Sequence, residues 1–259
     1  MKLIKTAVIS SLLSAFFVAS TPIQAQETIT ILAEDGWPPF ARADGTGITN
    51  SLVKAAYREV GIDVKYEVVP FIRLLKQLEL GRGLAGFNIG KTPDVVNKYS
   101  YGKEPLFVES SDYFVLKDSP LLKYKERAQL PAKTRLGTID GYMYGDFVAT
   151  NPNSLVIQPV SRHDQNLKKM LAGRLDIVIM YSDVAKDLFK LKKYSDQLVQ
   201  IFPGDNVPFF TAFSKTYPDS VRYMDLLDQG LLKIKANGKH GEIIEKCRDA
   251  SSSTLPICQ

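Results

Sequence analysis

The sequence predicts an α/β protein of two modest lobes, each a mixed sheet covered by helices. Three observations carry this. Strand-like apolar stretches alternate with stretches of helical period, as in a parallel or mixed sheet under helices. A step of helix, Gly-Arg and apolar strand occurs twice, over Leu75–Arg82 and Leu167–Arg174, with Leu, Lys, Gly and Arg in register. The chain of 259 residues also exceeds the usual single-domain size.

The N-terminus reads as a leader. Lys2 and Lys5 are basic, Ala7 to Ser20 is apolar but for small polar residues, and Ala25 suits cleavage. The run is too short to span a bilayer, so residues 1–25 read as a secretory signal peptide and the mature chain as periplasmic. Losing Lys2 and Lys5 takes the formal net charge from +5 to +3. The basic residues are dispersed, which argues against a nucleic-acid partner. Cys247 and Cys258 are the two cysteines, and in an exported chain they read as one disulfide. With His163 and His240 isolated, neither a metal site nor a Cys–His nucleophile has its material, and no cofactor is expected. There is no GxSxG and no phosphate loop.

The first strand, Ile29 to Ala33, runs into Glu34-Asp35-Gly36-Trp37-Pro38-Pro39-Phe40. Pro-Pro cannot continue a strand, so Glu34 and the sole tryptophan are left at its carboxyl end, where open α/β sheets bind ligands. An acid beside a flat apolar ring suits a polar ligand with an apolar or cationic part. The rival reading of Trp37 is a core residue at an ordinary turn. A helix follows, with Thr49, Asn50 or Ser51 as cap and Gly61 as its close. Asp63 to Val69 alternates as a strand that Pro70 stops, and Phe71-Ile72-Arg73 opens a helix running to Leu80. Leu84 to Ile89 is the next strand, and Gly90-Lys91-Thr92-Pro93 turns out of it. Leu106 to Lys117 is extended.

In the second unit, Arg135 to Ile139 is a strand ending in Asp140-Gly141-Tyr142-Met143-Tyr144-Gly145, and Leu155 to Val160 is another. His163 to Ala172 is a helix, and Asp176 to Tyr181 a strand. Asp183 or Ser182 caps a helix over Val184 to Leu191. Ile201 to Ser214 is a second extended stretch. Tyr217 to Asn237 is a long helix, which Gly238 breaks before a short helix over Glu242 to Cys247.

The order of leader, strand, Trp-Pro-Pro-Phe turn, helix, strand, Pro-Phe-Ile-Arg helix, Gly-Arg, strand and Gly-Lys-Thr-Pro-Asp resembles the type II periplasmic solute-binding proteins. The resemblance is to the family of polar amino-acid receptors of ABC importers, and it spans the mature chain. It implies two lobes joined by two crossing strands, near Glu109–Asp112 and Asn206–Thr211. Residues 26–110 and 211–259 would form lobe 1, and residues 111–210 lobe 2. A monomer would close on a small ligand and dock transiently on an inner-membrane permease, without catalysis. The family's ligand positions fall on Glu34, Trp37, Phe71 with Arg73, Asn88, Ile89, Gly90, Gly141, Tyr142 and Met143, with Tyr181 added to the aromatic set.

Two family residues are absent from their usual places. The arginine that holds an α-carboxylate falls on Val95, and the aspartate that holds an α-ammonium falls on Tyr181. Arg73 or Lys91, and Glu34, are the candidate replacements. The aromatic set of Trp37, Phe71, Tyr142, Tyr144 and Tyr181 suggests an apolar, aromatic or cationic moiety. The alternatives are a dehydratase of the cyclohexadienyl type on the same fold, with Glu34 as proton donor, or a ligand sensor docking on a receptor kinase.

Overall fold

The structure is a computed structural model describing residues 26–92, 95–190, 194, 196–248 and 255–258. The leader read at 1–25 lies outside them, as do Pro93 and Asp94 of the turn after the third strand. The first unit contains β1 (Glu27–Glu34), a small hairpin of β2 (Gly36–Trp37) and β3 (Ala41–Arg42), α1 (Ile48–Arg58), β4 (Ile62–Val69), α2 (Phe71–Glu79) and β5 (Ala85–Gly90). The short β6 (Ser100–Tyr101) follows, and β7 (Phe107–Leu116) leads out. The second unit contains β8 (Arg135–Ile139), α3 (Asp146–Thr150), β9 (Val156–Val160), α4 (His163–Leu171), β10 (Ile177–Tyr181) and α5 (Ser182–Lys190). Then β11 (Leu198–Phe202) and β12 (Asn206–Phe213) lead back, and α6 (Ser220–Ala236) and α7 (Lys239–Lys246) follow.

The strands run β4-β1-β5-β12-β7-β10-β8-β9 across one continuous curled path. Its two ends are alike. In each, three strands are parallel, and the next is antiparallel to them and arrives from the other unit. The antiparallel strands β7 and β12 pair with each other from Phe107↔Phe209 to Ser110↔Asn206. Beyond Ser110, β7 pairs with β10 and β11. Beyond Phe209, β12 pairs with β5 and β6. A right-handed crossover needs its helix between parallel strands, so two βαβ sets joined only through an antiparallel pair make two lobes with a strip between them.

The repeated Gly-Arg step has a physical basis. In α2 the amide of Gly81 donates to Leu78 O and that of Arg82 to Gln77 O; in α4 Gly173 donates to Met170 O and Arg174 to Lys169 O. Both glycines have φ near +70°. Each helix thus ends in the same Schellman turn, which satisfies its last carbonyls and reverses the chain into a buried strand.

Three expectations change. Helix α1 is capped at Gly47, two residues before the first of its candidate caps, with Thr49, Asn50 and Ser51 buried in the first turn. Gly47 has φ +141°, and a Cβ there would lie 2.2 Å from Phe40 O, so the chain enters the helix where only glycine fits. The stretch Ile201–Ser214 is two strands, because Gly204 presses on the crossing strand: a Cβ would lie 1.6 Å from Ser111 O. Ser182 and Asp183 spend their side chains elsewhere, Ser182 donating to Asp112 and Asp183 accepting from Lys186 and Arg248. The expected disulfide joins Cys247 to Cys258, with both ends buried.

Gly47→Ala should therefore lower unfolding free energy by more than about 1 kcal/mol. Gly241→Ala, on an open face of α7 with nothing within 4 Å, should raise it by roughly 0.5–1 kcal/mol. Urea denaturation of the two variants checks the contrast; equal effects would mean that the Phe40–Gly47 contact is not a constraint.

Candidate functional site

A cavity of about 590 Å³ lies between the two units. Its walls are the carboxyl ends of the parallel strands, where a βα turn leaves side chains free of the ladder. Glu34, Asp35 and Gly36 follow from β1, and Pro70, Phe71 and Ile72 from β4. Ile139, Asp140 and Tyr142 come from the end of β8, Ser161 to Asp164 from the end of β9, and Val184, Asp187 and Leu188 from α5. The eight-residue register of β1 with β4, which pairs Glu34 with Val69, sets Glu34 and Phe71 at the same edge.

Glu34 is the centre of a hydrogen-bond chain that crosses the cavity floor. It is 1 % exposed. Asn88 Nδ2 donates to its Oε1 at 2.7 Å, and Tyr142 OH donates to its Oε2 at 3.1 Å. Thr49 Oγ1 in turn donates to Asn88 Oδ1 at 2.7 Å, which fixes the amide's orientation. Asn88 holds φ +66°, a strained value for a non-glycine residue, to present this side chain. Burial pushes the Glu34 carboxyl up to about 8, against the two hydrogen bonds that favour its charged form. The group therefore keeps its proton near neutral pH.

Around this chain the two units meet through rings. Trp37, from the first unit, lies 5.4 Å from Tyr142 and 4.9 Å from Tyr181, both from the second. It also packs on Phe40, Phe107 and Phe209. Tyr142 meets Phe71 edge-on at 5.4 Å, and Tyr144 stacks on Tyr181. At 1 % exposure Trp37 is a packing residue between the units rather than a wall of the cavity, and its indole N–H has no partner.

The expected site residues thus divide. Glu34, Phe71 and Tyr142 line the cavity. Trp37, Asn88 and Tyr181 lie behind the lining, Tyr181 donating its OH to Met143 O. Gly141 and Met143 make contacts between the units: a Cβ on Gly141 would lie 2.6 Å from Ile72 Cδ1, and Met143 Sδ accepts from Thr92 Oγ1 at 3.4 Å. Gly90 packs on Met143, and Ile89 is buried in an apolar cluster with Leu32 and Leu74. Arg73 is exposed and does not line the cavity. Lys91 is turned away as well, its Nζ 3.8 Å above the Phe210 ring and donating to Gly102 O. Val95 is buried in the cluster with Leu32, and Tyr144 packs behind Tyr142.

Asp140, His163 and Asp187 were not singled out from the sequence. The signal was available for the first two, since each follows a strand end, as Glu34 does. The ring edge of His163 is partly open, but both nitrogens are shut off from solvent and neither has a hydrogen-bond partner. Burial lowers its pKa to about 4, so the imidazole is neutral.

Neither a family model nor a curated protein matches the sequence. Solved structures do match in fold. A mutant of ArgBP from T. maritima aligns with TM-score 0.69 at 20% identity, over 85% of this chain and 94% of that one. An ancestral amino acid-binding protein, described as a precursor of cyclohexadienyl dehydratase, gives 0.70 at 19% identity, over 86% and 96%. A binding component of an ABC transporter from Wolinella succinogenes, complexed with lysine, gives 0.70 at 18% identity, over 87% and 98%. The fold is that of the two-lobed periplasmic binding proteins.

The opposite shifts of Glu34 and His163 set a pH signature. Between about pH 4.3 and 8 the fold keeps a proton on Glu34 that the unfolded chain has released, so this contribution falls by about 1.4 kcal/mol per unit as pH rises. His163 acts in the opposite sense between about pH 4 and 6.5, where the unfolded chain takes a proton that the fold refuses. The two offset each other below about pH 6.5, and Glu34 acts alone above it. The difference in unfolding free energy between the wild type and Glu34→Gln should therefore decline from pH 5 to 8 and level off above. A flat difference in denaturation at pH 5, 6, 7 and 8 would show Glu34 ionised in the fold.

Proposed function

We propose that this protein is a periplasmic solute-binding protein that captures a small polar ligand, an amino acid or related amine or organic acid, and delivers it to an inner-membrane ABC importer. The observation that carries this reading is the position of the cavity. It lies between two βαβ units joined through β7 and β12, and its two walls are tied by the Tyr142–Glu34 hydrogen bond. A ligand entering there touches both units at once, so its binding energy drives a rigid-body closure about the crossing strands. The volume suits a small organic molecule. The aromatic face of Phe71 and Tyr142 supplies apolar contact, and the polar strand ends supply orientation.

The division into residues 26–110 with 211–259 and residues 111–210 follows the strand exchange at Ser110–Ser111, and it supports the same hinge. Neighbours of the same fold are binding proteins for arginine and lysine by their descriptions, and this agrees with a carrier role. A permease would read the closed form, and the protein would act as a monomer in the periplasm once residues 1–25 are removed.

One observation favours the dehydratase reading as second choice. Glu34 keeps its proton near neutral pH, as a general acid must, and it sits in the cavity floor. That reading requires turnover of prephenate or arogenate by the wild type and loss of it in Glu34→Gln.

A thermal-shift screen over amino acids, amines and organic acids tests the carrier reading. A ligand at about 100 times its Kd should stabilise the fold by about 2.7 kcal/mol. Phe71→Ala should weaken that ligand by about tenfold or more through lost ring contact. A screen without any ligand, or one in which a ligand is consumed, would overturn the reading.

A further inference from the structure

The charges on the cavity wall are one-sided. Among the described residues, Asp35, Asp140, Asp164 and Asp187 line it, against Arg162 alone, while Glu34 adds a carboxyl that keeps its proton. Arg162 is partly spent, since its Nε donates to Asp164 Oδ1 at 2.9 Å, and its side chain is largely exposed. Lys168 is spent on the same aspartate. A ligand carboxylate placed here meets acidic neighbours on strand ends from both units, and the one guanidinium nearby is shared with Asp164. An ammonium meets the reverse.

The second observation is independent of charge count. His163 lines the cavity with both ring nitrogens enclosed and unpartnered. A neutral imidazole has one donor and one acceptor nitrogen. Leaving such polar atoms enclosed and unpaired is unfavourable. An N–H donor from a ligand would satisfy the acceptor. The His163 ring lies 6.4 Å from that of Tyr142, whose hydroxyl is bonded to Glu34. An acceptor nitrogen, an aromatic face and a buried carboxyl are thus neighbours along one wall. The face of Tyr142, with Phe71 beside it, adds a cation–π surface.

We propose that the ligand is a small organic amine without a carboxylate, its ammonium set among the acidic strand ends and His163, and its carbon skeleton laid against Phe71 and Tyr142. This rests on the carrier reading and narrows it. The chemistry works against the zwitterion: the one described cation on the wall, Arg162, is already shared with Asp164, and a carboxylate within about a Debye length of several acids is repelled. No covalent step is involved.

Pairs of compounds that differ only by the α-carboxylate make the test: 1,5-diaminopentane with lysine, agmatine with arginine, phenethylamine with phenylalanine, and tyramine with tyrosine. Simple organic acids complete the set. Affinities of the purified full chain are read by calorimetry at pH 7.5. The expected result is that at least one amine binds and that its carboxylated partner binds at least tenfold more weakly. Asp140→Asn and Asp187→Asn should each weaken the amine severalfold, with unliganded melting temperatures showing that both variants fold; Asp140 is exposed and Asp187 only half-buried, so neither change disturbs the core. An amine that binds equally well to Asp140→Asn and to Asp187→Asn would overturn the proposal, because the cavity acids would not be holding it. If the amino acids bind better, or only organic acids bind, the amine proposal fails and the carrier reading stands. If no member of the set binds, the amine proposal fails, and the carrier reading is decided by the wider thermal-shift screen.

Discussion

The structure depends on one buried carboxyl group. Glu34 ends the central strand of its unit, and its two oxygens are used in different directions. One accepts from Asn88, within the same unit; the other accepts from Tyr142, across the cleft. A carboxylate in this position would be costly without partners, and the site meets that cost with two donors and a retained proton. Asn88 is strained and Thr49 is buried to hold the first donor. The second donor is the residue that brings the other unit down onto Trp37. Local backbone geometry, side-chain orientation and the approach of the units therefore meet at one group.

The back of the molecule shows how such an approach is guided. The carboxylate of Asp112, on the crossing strand β7, receives Ser182 Oγ at 2.6 Å and the amide of Gly204 at 3.2 Å. Glu109, two residues before Ser111, accepts the amide of Asp183 at 3.1 Å. Burial and the neighbouring Asp183 charge hold the Glu109 pKa above its usual range, while Arg248, beside the disulfide, pairs with Asp183. The crossing region is thus a tightly bonded strip in which glycine permits the closest approach. Front contacts combine rings with the Tyr142–Glu34 hydrogen bond, whereas the back is crossed by the Asp183 amide on Glu109 and the Arg248–Asp183 pair.

Much of this was legible in the sequence because it is written in local chemistry. Pro38-Pro39 ends a strand, Gly81 and Gly173 end helices, and apolar alternation marks β4. The rule that ligands gather at the carboxyl ends of parallel strands pointed to Glu34, and the family resemblance added Phe71 and Tyr142; all three line the cavity. What stayed hidden depends on tertiary contacts. Trp37 looks equally suited to a wall or a core, and only the arrival of Tyr142 and Tyr181 decides it. Arg73 sits near Phe71 in sequence, but the helical turn carries it outward to solvent. His163 looks isolated until the end of β9 brings it beside Tyr142. Gly47 takes the cap position from three good capping residues because Phe40 O presses on it, a constraint from another segment.

Trp37 is the sole tryptophan, so its emission reports directly on whether the two units meet as described. The decisive measurement is the emission maximum and acrylamide quenching of Trp37 in the wild type and in Tyr142→Ala, with far-UV circular dichroism as the control. The account predicts a blue, poorly quenched tryptophan in the wild type. In Tyr142→Ala it should become redder and more quenchable while secondary structure is unchanged. An identical emission and quenching in the two proteins would contradict the claim that Tyr142 closes one unit onto the other.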